Sequence, residues 1–191
     1  MPNWCYTQYV VDGERKQIKQ LHDIMKELES MDQPLHENGF GTTWLGNLVI
    51  KLGGDWEKIR CRGDWSNLEI SESGLYFTTD SAWCEMSEVR HFIEEKFPGL
   101  KIYYQTEEPG MEIYQTNDAT GQYFPEEFYL DVEDFGPSYI DDLNQLCKQV
   151  EDITGSKHLA TFDSCLKALE TYSRRHHNFY YSLNRFEVVD D

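Results

Sequence analysis

From Trp4 to Val11 the chain alternates. Trp4, Tyr6, Gln8 and Val10 fall on one face of an extended segment, and Cys5, Thr7, Tyr9 and Val11 on the other. Both faces are partly apolar and the segment ends in β-branched residues, which predicts a central strand. Asp12-Gly13 supplies the turn that ends it. The period then changes. Ile18, Leu21, Met25 and Leu28 recur at helical spacing with Ile24 beside them, and Glu14 lies where a helix dipole favours an acid. A helix is expected over 14–31.

A glycine-containing loop, Pro34 to Gly46, leads to short apolar runs read as strands at 47–52, 67–71 and 74–80, the last two joined by a tight turn. A further short strand is expected near 57–62. Met86, Val89, Phe92, Ile93 and Phe97 share one face of a second helix that stops at Pro98-Gly99. A β-meander follows: 100–108, a turn at Pro109-Gly110 of the type II kind, 111–116, then a strand through "EEFYLDVED". Beyond Phe135-Gly136-Pro137, the residues Ile140, Leu143, Leu146, Cys147, Val150 and Ile153 outline an amphipathic helix. Leu159, Phe162, Leu166 and Leu169 outline another, and "NFYYSLNRFEVV" reads as a closing strand.

Strand, helix, two strands, helix, strand is the split β-α-β order. The expected fold is therefore α+β, a ferredoxin-like sandwich with an antiparallel sheet, extended by the meander and by a C-terminal helical pair plus strand. The corresponding organisation is a first domain over 1–135 and a C-terminal extension over 136–191 packed on the same domain.

Charge narrows the function. The 191 residues carry 35 acids against 17 bases, a net charge of −18. Residues 1–60 hold 9 acids and 7 bases, residues 61–120 hold 12 and 4, and residues 121–191 hold 14 and 6. So negative a surface repels phosphate backbones, which argues against nucleic acid as partner; it serves solubility, or, on a sharper reading, attraction to a basic protein partner. Five cysteines without a CxxC, no apolar leader and no run long enough to span a bilayer point to a reducing, cytoplasmic setting with no membrane partner. Nothing in the composition or spacing speaks for a cofactor, and oligomeric state is left open.

Three stretches carry a resemblance: "NWC" running into a strand and "DGE", then "LYFTTDSAWCEMSEVRHFIEEKFPGLKIYYQTEEPG", then Gly121 to Phe124. Over about 1–133 the chain resembles the YubB-type ferredoxin-like domain family of bacteria, phages and plasmids. The family's motif positions correspond here to Asn3, Trp4 and Cys5; Phe77, Thr78 or Thr79, and Trp83; Phe97 and Pro98; and Gly110. The chain departs from the pattern at Thr7, where the family often has Asn, and lacks its mid-domain Trp-Gly-x-x-Trp. The resemblance implies the fold and a mobile-element setting. It implies no catalytic residue.

Several stretches invite a chemical reading. Glu127, Asp131 and Glu133 alternate onto one face of a strand, as does Tyr129. Such carboxylates suit a divalent cation, a basic partner or plain solvent. The first would make the chain a metal-dependent hydrolase or phosphoryl-transfer enzyme, the second a non-enzymatic interaction module, which is the expected reading. "YIDD", Tyr139 to Asp142, has the spelling of a polymerase metal site, but following Gly-Pro-Ser it reads as a helix start with Ser138 as N-cap. "SRRHHN", Ser173 to Asn178, suits a helix C-terminus. Cys5 is a nucleophile only if its thiol is acidified, and a central strand predicts a buried, inert one.

Overall fold

The computed structural model describes residues 3–133, 135–176 and 179–190. The chain is α+β and falls into two compact units, residues 1–118 with 189–191, and residues 119–188. The expected division was at 135/136.

In the first unit the strands are β1 (Trp4–Gly13), β2 (Gly63–Ser71), β3 (Gly74–Ala82), β4 (Leu100–Glu108) and β5 (Ile113–Thr116). Their order across the sheet is β2-β3-β1-β4-β5, with antiparallel neighbours throughout. Beyond β5, Val189 joins the edge by donating its N–H to Thr116 O at 2.9 Å. β1 is central, as its two-faced alternation predicts.

Helices α1 (Arg15–Glu29), α2 (Leu45–Lys51) and α3 (Ser87–Lys96) form one hydrophobic core with the sheet. α1 contributes Ile18, Leu21, Met25 and Leu28, the residues picked out by their spacing. Each such aliphatic side chain stabilises the fold by roughly 1.5–3 kcal/mol relative to exposure. The entry to α1 depends on Gly13, whose φ is +131° and whose missing Cβ would stand 2.1 Å from Gly99 O.

Two expectations in this unit are corrected. Residues 47–52 were expected as a strand, yet Leu45, Leu48 and Val49 bury one face of the short helix α2. A six-residue apolar run does not separate the two periods. Here the buried Asn47 decides it, donating from Nδ2 to the carbonyls of Gly41 and Thr42 at 2.9 and 3.0 Å. The strand expected near 57–62 is instead a turn, in which Lys58 and Ile59 donate to Asp55 O. At Pro109–Met111 the chain makes one turn of 3-10 helix, and Glu108 accepts the Gly110 N–H at 3.0 Å.

The second unit holds β6 (Phe128–Val132), β7 (Gly136–Ile140), α4 (Leu143–Thr154), α5 (Phe162–Arg175) and β8 (Tyr181–Arg185). β6 lies between β7 and β8, antiparallel to both. The strand expected to close a meander on β5 thus founds a separate sheet. Phe128, Leu130 and Val132 pack with Leu146, Val150, Cys165 and Leu169 of the helices. Ser138 does not cap α4: it is the middle residue of β7, opposite Leu130. The cap is Asp142, whose carboxylate accepts the N–H groups of Asn144 and Gln145 at 2.7 and 2.9 Å. Pro137 is tolerated because β7 is an edge strand. Among the described residues no helix is long and apolar enough to cross a membrane.

Candidate functional site

The N-terminal motif separates into two layers. Cys5 is fully buried, its Sγ 2.9 Å from Thr106 Oγ1, which in turn lies 2.7 Å from Thr7 Oγ1. Burial pushes the thiol pKa up, outweighing the hydrogen bonds from Thr106 and Thr7 that lower it. A thiol held protonated inside a sheet is not a nucleophile. Trp4 points the other way, 47% exposed, with Phe40 edge-on at 6.2 Å between ring centres. Asn3 accepts the Trp83 N–H on its carbonyl at 2.9 Å, and its Nδ2 is so close to Gly110 that a Cβ there would lie 2.4 Å away. Trp83 and Gly110 therefore both approach Asn3, just before the start of β1.

The strand face of Glu127, Asp131 and Glu133 is only partly an acidic surface. Tyr129, between the first two, is buried. Glu127 pairs with Arg185 at 3.5 Å, and Glu133 Oε2 accepts the Tyr180 N–H at 3.1 Å. Asp131 is half-buried and lies between Pro137 and Ser182. Asp134, the last residue of "EEFYLDVED", is outside the described residues. Tyr139 of "YIDD" is in β7 and Asp142 is committed to its cap. In "SRRHHN", Arg174 and Arg175 occupy the last turn of α5, where they complement its dipole, while His177 and Asn178 lie outside the described residues. Among the described residues no three His, Cys, Asp or Glu side chains converge as a metal site would require.

A buried ionic group stands within the first core. Glu85 Oε1 accepts from Tyr9 Oη at 3.0 Å and from Arg90 Nε at 3.2 Å, and the Arg90 guanidinium lies 4.9 Å from the centre of the Tyr104 ring. The cavity beside it measures about 10 Å³. That is room for roughly one water and no ligand, so the group is structural. Removing one partner would leave a buried charge unpaired, which destabilises by about 3–5 kcal/mol.

The other face of the same sheet is different. Register places Asp64 opposite Asp80, Asp80 opposite Tyr6, and Tyr6 opposite Glu107, one row across four strands. Burial raises the Asp64 pKa, and the Asp80 charge raises it further. The Tyr6 hydroxyl is raised as well, by burial and then by Glu107 and Asp80. At the β2 end of this row Asp64 and Asp80 share a cleft of about 580 Å³ with Trp4, Gly39 and Phe40. The loop that carries Phe40 is held in place: Asn38 Oδ1 accepts the N–H groups of Phe40 and Gly41 at 2.6 and 2.8 Å, and Trp44 bridges to Asp64. Two carboxylates beside two aromatic rings, one ring exposed, offer a cation both charge and π faces.

None of Asp64, Asp80 and Glu107 stands out in the sequence, because each lies on a different strand, far from the others along the chain. The chain has no match among known family models, curated proteins or solved structures.

Proposed function

We propose that the chain is a non-enzymatic protein-interaction module whose basic partner places a Lys or Arg side chain in the cleft of Trp4, Phe40, Asp64 and Asp80. The observation that carries this reading is the in-register pair of carboxylates at that cleft. Like charges directly opposite on a sheet destabilise it, and a cation between them relieves the repulsion. The net charge of −18 adds long-range attraction for a basic protein.

Within the same proposal the first unit is a ferredoxin-like split β-α-β sandwich. Its support is the run β1-α1-α2-β2-β3-α3-β4, a split β-α-β order with α2 inserted after α1, and the antiparallel order β2-β3-β1-β4. Kinship with the YubB-type family, and with it a bacterial mobile-element setting, is proposed on Asn3, Trp4, Cys5, Trp83 and Gly110. The approach of both Trp83 and Gly110 to Asn3 supports it. A cytoplasmic setting is proposed on the odd number of cysteines and the lack of a CxxC.

The test is fluorescence anisotropy with a labelled Lys/Arg-rich peptide, titrated at low and high salt. Saturable, salt-sensitive binding that weakens about tenfold or more in Asp64→Asn/Asp80→Asn is expected. Equal binding by that variant, or none by the native chain, overturns the reading.

A further inference from the structure

Phe40 has a second cleft on its other side, of about 630 Å³, walled by Phe40, Trp44 and Trp56 and rimmed by Lys58, Arg60 and Arg62. It shares Phe40 with the acidic cleft but carries three bases beside two acids, Glu57 and Glu88. Three of the chain's 17 bases fall here within five residues, in a molecule of net charge −18.

The walls are ordered by their own contacts. Trp56 lies 5.3 Å from Trp44, edge to face, and 4.5 Å from the His36 ring. The basic rim is fixed in part. The Arg60 N–H donates to Glu88 Oε2 at 2.8 Å, and Arg60 Nη2 donates to Ala82 O at 3.1 Å. Lys58 pairs with Asp55 at 2.9 Å. Arg62 is exposed, and its guanidinium has no hydrogen-bond or ion-pair partner among the described residues. Glu57 and Glu88 also line the cleft, and Glu88 is engaged by the Arg60 backbone.

Size, aromatic walls and a few convergent charged donors are the attributes of a small-molecule site. Forked guanidinium donors match a phosphate, and indole and phenyl faces match a flat ring. An extended polyanion is disfavoured, because continuing past Phe40 would carry its phosphates to Asp64 and Asp80. We infer that this cleft binds a small anion bearing a planar ring, of the nucleoside monophosphate class, with the phosphate on Arg60 and Arg62 and the ring against the Phe40–Trp56 wall.

The experiment is a calorimetric and tryptophan-fluorescence titration of the full chain with AMP and UMP. Adenosine, inorganic phosphate and a single-stranded oligonucleotide serve as comparison ligands. Saturable quenching by a mononucleotide is expected, with adenosine and phosphate each at least about tenfold weaker. Arg62→Gln, an exposed substitution that leaves the core untouched, is expected to weaken the mononucleotide about tenfold, and Arg62→Lys less. Binding no tighter than adenosine or phosphate alone, indifference to Arg62→Gln, or tighter binding of the oligonucleotide overturns the inference. Peptide binding in the acidic cleft is read separately, so the two sites fail or stand independently.

Discussion

Asp64 and Asp80 face one another across β2 and β3, two carboxylates in register on the surface of a sheet. Partial burial and the neighbouring charge hold the Asp64 pKa above its ordinary 3.8. The folded chain therefore keeps a proton there that the unfolded chain releases. The resulting loss of stability is absent below pH 3.8 and complete once the pH exceeds the folded value. Asp64→Asn should raise the thermal midpoint at neutral pH, by an amount worth less than about 1 kcal/mol because the site is largely solvated. The gain should fade toward acid pH. Midpoints measured from about pH 3 to 8 check this, and a gain that does not vary with pH rules it out.

The start of α4 separates two readings of one stretch. Asp142 accepts two backbone N–H groups of the first turn, whereas among the described residues Ser138 Oγ accepts from the Gln149 side chain at 3.1 Å. Asp142→Ala should destabilise the second unit by about 1 kcal/mol and Ser138→Ala by less than half of that. Denaturant midpoints for the two variants decide it, and the opposite ranking would return the cap to Ser138.

What could be read along the chain was whatever depends on neighbours in sequence. β1, α1 and the α3 face follow from period alone, since Val11, Leu21 and Ile93 need only alternate or recur to reveal a buried side. α2 was missed because Leu48, Val49 and Ile50 satisfy either period, and a polar residue, Asn47, tips the balance through bonds to a loop. The acidic row was missed for a sharper reason. A regular hairpin through Ser71 and Gly74 would set Trp65 opposite Asp80, and it is the bulge between Ser66 and Glu69 that brings Asp64 there. Asn67, at φ +53°, is within that bulge and carries no glycine signal to announce it. The clefts on either side of Phe40 depend on a loop folding back over an edge strand, which no local pattern encodes.

Gly13 and Gly110 should answer the same substitution differently. At Gly13 a Cβ meets backbone, Gly99 O at 2.1 Å, in a conformation of φ +131° that L residues rarely adopt. At Gly110 it meets the ends of side chains, Asn3 Nδ2 at 2.4 Å and Glu108 Oε1 at 2.9 Å, which can swing aside. Gly13→Ala should destabilise by more than about 2 kcal/mol and Gly110→Ala by about 1 kcal/mol or less. Chemical denaturation of both variants checks the order. A Gly110→Ala chain as damaged as Gly13→Ala would mean that Asn3 is held rigidly and that the motif contact matters to folding itself.

The cysteines predict an alkaline weakness. Cys165 donates its S–H to Cys147 Sγ at 3.5 Å, and burial followed by that neighbour pushes its pKa from 9.0 to about 12. Burial and then Glu88 push Cys61 from 9.0 to about 11. Both shifts are upward, so the stability that goes with a protonated thiol is whole below pH 9.0. It is lost as pH rises through the folded values, while the unfolded chain ionises first. Cys165→Ala should lower the midpoint at neutral pH, through a cavity worth about 1 kcal/mol, yet lose less on going from pH 8 to about pH 10.5. The native and variant curves should therefore converge with rising pH. Parallel curves would show that the Cys165 thiol ionises as readily in the folded chain as in the unfolded one, and that burial between α4 and α5 does not protect it.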